Sequence, residues 1–179
     1  MKAVLVPTDI AAKNIDSFNR SVVAEIEVEN GAIFQLNGLS EENGKGEVFK
    51  YAAPAEGAIS DLWMAYAPEV VVTESGDFKA KGIDSDPRNF ANLAGVPFDA
   101  YKPQVGDLIQ LTAQGFANDF DEAKPYAVAV AGSNKLNWAA AAVEGLSYKL
   151  VKKQPVIIAS GSIGSNAVTA YILECVSIR

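Results

Sequence analysis

In the segment Arg20 to Gly38, "RSVVAEIEVENGAIFQLNG", Val22, Ala24, Ile26 and Val28 alternate with Val23, Glu25, Glu27 and Glu29. A period of two puts one set on a single face of an extended chain, whereas a helix would scatter it around its circumference. Shorter segments repeat the pattern or carry the apolar, β-branched composition of buried strands: "EVFKYAAP", "DLWMAYAPEVVVT", "DLIQLTA", "YAVAVAG", "PVIIASG" and "VTAYILECVSI". Pro54 and Pro68 punctuate the first two of these. "KLNWAAAAVEGLSYKLV" is ambiguous, since its alanines favour helix and its flanks favour strand; we read it as strand, loop, strand. No stretch carries a long 3.6-residue period, and no internal repeat is evident. The expectation is an all-β chain: a single-domain β-sandwich or barrel over residues 20–179, with an N-terminal arm and a long irregular loop. The last segment is apolar on both faces except at Glu174, which predicts a central strand.

The Asn30-Gly31 pair suggests a hairpin turn. A two-residue loop would set Ile26 opposite Gln35 and mix the faces. A three-residue loop, Glu29-Asn30-Gly31, sets Val28 against Ala32, Ile26 against Phe34 and Ala24 against Leu36, keeping the apolar residues together. It also requires Gly31 in the left-handed region. A second tight turn, Val105-Gly106-Asp107, leads into "DLIQLTA".

Two stretches lack the alternation. Met1 to Asn19, "MKAVLVPTDIAAKNIDSFN", predicts a short strand followed by an extended arm. Residues 74–101 predict the irregular loop. Both hold apolar residues without an obvious core register: Val4, Leu5 and Ile10 in the arm, and Phe90, Leu93, Val96 and Phe98 in the loop. Left in water they would form a patch of the kind that marks an interaction site, with the two phenylalanines as anchors. The alternative is that Phe90 and Phe98 plug the end of the β body.

With 179 residues, 49% of them apolar, the chain can bury a sizeable core. Its net charge of −7 and pI near 4.6 argue against a nucleic-acid partner, which calls for a basic stripe. The one basic cluster, Lys149, Lys152 and Lys153, reads as a solvated strand end. There is no histidine, which removes the commonest general base and zinc ligand together. Met1 to Val6 is apolar but broken by Pro7, too short for a signal core or a membrane span. No membrane partner and synthesis in a cytoplasm are therefore expected.

Motifs for chemistry fail on inspection. "SGSIGSN" (Ser160 to Asn166) lacks the Gly-Lys-Ser/Thr ending of a phosphate loop and reads as a hairpin loop. "DSDPRN" (Asp84 to Asn89) alternates carboxylates but lacks the glycine and glutamate that a calcium loop needs. Asp119, Asp121 and Glu122 form the other acidic cluster and read as a solvated turn. No Gly-x-Ser-x-Gly occurs. Twenty-two acids allow many carboxylate pairs, so a hydrolase using two of them has no specific signal. Cys175, the single cysteine, lies mid-strand and reads as a buried inert thiol. Trp63, Trp138, Tyr51, Tyr66 and Tyr101 suit a core better than a sugar platform. No catalytic residue, cofactor or metal is expected.

Three segments carry a resemblance: "GEVFKYAAP…LWMAYAPEV" (Gly46 to Val70), "DPRNFANLAGVPFDAYKPQVGDLIQLTA" (Asp86 to Ala113) and "ASGSIGSNAVTAYILECV" (Ala159 to Val176). Together they resemble tailed-bacteriophage head-decoration or capsid-associated structural proteins. The resemblance implies a virion location, binding to the outside of a lattice of major capsid protein, and a homo-oligomer, most often a trimer. It brings no catalytic residues. A carbohydrate-binding or host-adhesion module is the alternative function.

Overall fold

A computed structural model describes residues 1–41, 47–55, 59–68, 71–75, 80–84, 86–158 and 166–179, with backbone alone at 71–75, 80–84 and 166. Among these residues every regular element longer than a single 3₁₀ turn is a strand. The strands are β1 (Leu5–Asp9), β2 (Asn19–Val23), β3 (Ile33–Leu39), β4 (Val48–Ala52), β5 (Trp63–Ala65), β6 (Val71–Ser75) and β7 (Ala80–Asp84). They continue with β8 (Phe98–Tyr101), β9 (Leu108–Thr112), β10 (Tyr126–Val128), β11 (Asn137–Ala139), β12 (Leu146–Ile158) and β13 (Asn166–Ile178). The fold is all-β, as the alternation predicts.

Strands β2, β4, β3, β5 and β8 close into a small barrel in that order. A six-stranded sheet, ordered β1-β9-β13-β12-β10-β11, packs on its flank. The period-two pattern assigns barrel residues to two cores. Val22, Phe34, Trp63, Ala65, Phe98 and Ala100 fill the barrel. Their neighbours Ile33, Met64 and Tyr101 point the other way, into the space shared with Leu5, Ile109, Leu111, Tyr148 and Leu173 of the large sheet. Each fully buried side chain of this size contributes about 1.5–3 kcal/mol over leaving it in water. β13 is central in the large sheet and pairs along twelve positions with β12, from Leu146↔Ile178 to Ile158↔Asn166. The glycine-rich "SGSIGSN" lies outside the described residues except for the backbone of Asn166. The ambiguous alanine-rich segment resolves as strand β11, an irregular connection and strand β12.

Three expectations are corrected. First, Met1 to Asn19 is no free arm. β1 runs antiparallel to β9, with Leu5 opposite Leu111, at the edge of the large sheet. The Val4 N–H donates to Thr112 Oγ1 at 3.0 Å, and the Thr112 N–H returns a bond to the Val4 carbonyl at 3.1 Å. Second, Val22 to Val28 and Ile33 to Leu39 do not form a hairpin. β2 ends at Val23 and pairs with β4 in parallel and with β8 antiparallel, while β3 pairs with β4 and β5. Past Val23 the chain bends away, and Ile26 is 52% exposed although its place in the alternation matches the buried Val22, Ala24 and Val28. The turn survives without its hairpin: Ala32 N–H donates to the Glu29 carbonyl at 3.2 Å, and Gly31 has φ +85°. Third, the stretch 74–101 is not irregular throughout. β6 and β7 pair antiparallel, from Val71↔Asp84 to Ser75↔Ala80, and a 3₁₀ turn at Pro87–Asn89 precedes β8. The turn at Val105-Gly106-Asp107 is present, with Gly106 at φ +94° and Asp107 N–H bonded to the Gln104 carbonyl.

Candidate functional site

The chain between β7 and β8 is fastened at several points. Asp86 caps the 3₁₀ turn, its Oδ1 accepting from the Arg88 N–H at 3.0 Å. The same carboxylate takes Arg88 Nε at 2.8 Å and Nη2 at 2.6 Å. These bonds hold the Asp86 carboxyl below the usual carboxylate range and raise the guanidinium. Asp86 of the "DSDPRN" run is therefore engaged by a side-chain cation. Phe90 follows and enters the barrel core.

Beyond Phe90 a buried amide pair takes over. Asn92 exchanges both backbone bonds with Val28, and its side chain donates to the Val28 carbonyl at 2.9 Å and to Asn30 Oδ1 at 3.3 Å. Asn30 in turn bonds both backbone groups of Ala67, at 2.9 and 3.0 Å. Buried amide groups without partners are costly, so these asparagines stand in for strand pairing where the strands stop. The turn Leu93–Val96 then closes with Val96 N–H on the Leu93 carbonyl, and Gly95, at φ +74°, donates to the Ala24 carbonyl at 2.8 Å.

A backbone pinned in this way holds Leu93 and Val96 outward, 63% and 51% exposed. The turn that carries them forms a ridge between two grooves, Gly95 lining one and Leu93 and Val96 the other. One groove, about 440 Å³, is lined by Ala24, Glu25, Ile26, Asn37, Lys50, Tyr51 and Gly95 among others. The other, about 350 Å³, runs along Pro68, Leu93, Val96, Pro97 and Asp99, with Phe90 and Phe98 in its lining. Burial raises the Tyr51 hydroxyl's pKa, so the phenol is a neutral donor at ordinary pH. The ridge offers apolar contact with a mixed polar rim.

Of the seven residues singled out from the sequence, the structure leaves two at the surface. Val4, Leu5 and Ile10 are buried, the latter two in the core between barrel and sheet. Phe90 and Phe98 are buried in the barrel, where Phe98 meets Phe34 edge to face at 6.0 Å. They plug the barrel. Only Leu93 and Val96 remain available as contacts. Ile26, Glu25 and Lys50 join them, and nothing local to the sequence announced that Ile26 would face out.

A third concavity, of about 420 Å³, lies where the barrel meets the large sheet, lined by Phe18, Ser60, Asp61, Leu62, Lys102, Gln104, Leu146, Ile178 and Arg179 among others. Lys102 Nζ pairs with the Asp61 carboxylate there.

The nucleophiles and phenols of the core are silenced by burial. The Cys175 thiol is pushed up to about 12, and Tyr101 and Tyr148 are raised well above the ordinary phenol value. Trp63 and Trp138 are core residues, the latter stacked on Phe116 at 4.4 Å. Lys149, Lys152 and Lys153 lie exposed along β12, with Lys153 Nζ 4.7 Å from the Phe120 ring centre. Among the described residues no three metal-ligating side chains come together. No family model matches the chain, and neither a curated protein nor a solved structure matches it.

Proposed function

We propose that this chain is a virion structural protein that decorates the outside of a capsid, with the major capsid protein as its partner and a homo-oligomer, most simply a trimer, as its working form. The observation that carries the reading is the ridge: Leu93 and Val96 stand exposed on a backbone fastened to Ala24 and, through Asn92, to Val28. A loop that is only a solvated connection has no need of apolar side chains at its crest. A rigid apolar crest is what a contact with little ordering cost uses. The resemblance of Gly46 to Val70, Asp86 to Ala113 and Ala159 to Val176 to head-decoration proteins supports the same reading.

The test is co-sedimentation with purified capsids that lack the protein, comparing wild type with Leu93→Asp/Val96→Asp. The expected outcome is that wild type pellets with capsids and the double variant stays in the supernatant at an unchanged melting temperature. Equal retention of both would remove the ridge from the interface. A second reading, a carbohydrate-binding or host-adhesion module, has its own observation in the cleft that holds Asp61 and Lys102.

A further inference from the structure

The cleft between barrel and large sheet is built from two layers. Asp61 and Leu62 lead into β5, and Lys102 and Gln104 follow β8, all on the barrel side. Leu146 and Ile178 come from the paired ends of β12 and β13. Its volume, about 420 Å³, falls within the ordinary range for small-ligand sites, roughly 300–1,000 Å³.

Asp61 sets the cleft apart. It is the one described residue other than glycine with positive φ, at 55°. That conformation costs backbone energy, and such strain concentrates at sites where a side chain must be aimed. Here it accompanies an ion pair with Lys102. The pair does not account for the strain, because the Asp61 side chain is 72% exposed and exposed pairs stabilise little. Lys102 Nζ also lies 5.9 Å from the Trp63 ring centre, so its head sits between a carboxylate and an aromatic face. Gln104 spends its amide hydrogens on the Lys102 and Pro103 carbonyls, while its side-chain oxygen accepts from no described residue.

We propose that this cleft binds a neutral saccharide ring. The inference rests on the second functional reading, of glycan binding, and gives it a location. The charges bear on the ligand class. An anion would face Asp61 and a cation would face Lys102 and Arg179, whereas adjacent hydroxyls can donate to the carboxylate and accept from the ammonium and the guanidinium without adding charge. Phe18 and Ile178, both partly exposed, provide an apolar wall for the C–H face of the ring, backed by the buried Leu62 and Leu146. Ser60 and the Gln104 oxygen supply further hydrogen-bonding groups at the same cleft.

The experiment is ligand-observed saturation-transfer NMR on the full chain with a panel of neutral hexoses and N-acetylhexosamines at millimolar concentration, followed by titration of those that respond. At least one sugar should show transfer, and Asp61→Asn and Lys102→Met should each weaken it about tenfold or more, as expected when a charge-assisted bond is lost. Asp61→Gly keeps the backbone compatible with φ 55°, so it should melt no lower than wild type and still lose binding. Sugar binding unaffected by the three variants would place the glycan site elsewhere and overturn this inference alone. No transfer from any sugar to wild type would overturn both it and the glycan-binding reading. Binding confined to acidic sugars added as controls would overturn the charge argument.

Discussion

At Gly31 a side-chain carbon built on the backbone would lie 2.7 Å from Leu111 Cδ1, and φ is +85°. Both facts forbid a larger residue, for separate reasons: left-handed strain, and overlap with a fully buried leucine of the large sheet. Gly31→Val should cost about 2–4 kcal/mol, the sum of the strain and the overpacking, read as a lower urea midpoint with unchanged slope. A loss under 1 kcal/mol would mean that neither contact matters. Gly115 sits against the same leucine, its built carbon 2.6 Å from three Leu111 atoms, so this one side chain is gripped by two glycines. Asn30 belongs to the same corner. Its amide bonds to Ala67 hold the chain leaving β5 beside the turn that leads into β3. Cys175, 1% exposed with its thiol raised by burial and by the nearby Asp107 charge, acts as a small apolar residue of β13.

At the scale of elements, the chain from Pro87 to Val96 divides its apolar residues between two tasks. Phe90 turns into the barrel, and Phe98 opens β8 with its ring against Phe34. Leu93 and Val96 lie on the crest between them. Phe98→Ala should therefore lower stability by about 3–5 kcal/mol, the usual cost of truncating a buried phenylalanine. Leu93→Asp/Val96→Asp should move it by no more than about 0.5 kcal/mol. Thermal melts of the two proteins side by side check the division. Similar losses in both would show that the crest is packed and not free to contact a partner. β1 shows the same economy at the sheet edge. Leu5 and Pro7 face inward, Val6 faces out, and Pro7 sits on an edge strand, where a missing N–H is tolerated.

At the scale of the molecule, Asp107 ties together parts of the chain that are far apart in sequence. Its carboxylate accepts the Ala11 N–H at 2.9 Å and the Gln104 N–H at 2.8 Å, while its backbone carbonyl takes the Cys175 N–H at 2.8 Å. Burial raises its pKa above the ordinary aspartate value, outweighing the two N–H donors, and the Asp9 charge adds to the rise. A carboxyl whose pKa is higher folded than unfolded contributes stability that is fully present below the unfolded pKa. That contribution is lost as pH rises through the folded pKa. Asp107→Asn breaks the two-acceptor arrangement and destabilises at every pH, but it does not titrate. The stability gap between wild type and the variant should therefore narrow as pH rises from about 3 to 6, measured by urea unfolding at each pH. A gap that widens with pH would mean that the N–H donors win over burial.

The class of fold follows from local pattern. A period of two, repeated in short segments and broken by proline and glycine, leaves few ways to bury an apolar face except in sheets. The central place of β13 follows from its two apolar faces, and the inertness of Cys175 from its apolar neighbours. The left-handed backbone of Gly31 was legible too, because a turn there needs it whichever strands it joins. Pairing was not legible. β2 finds β4 and β8 instead of β3, and the Val28 backbone, which a hairpin would have paired with the chain entering β3, exchanges its bonds with Asn92. Nor was exposure. Val4 and Leu93 look alike in sequence, yet Val4 bonds to Thr112, 108 residues away, while Leu93 crowns a turn. Whether an apolar side chain is core or contact depends on what lies opposite it. That is a property of distant segments brought together, so only the tertiary structure decided which residues stand at the surface of this protein.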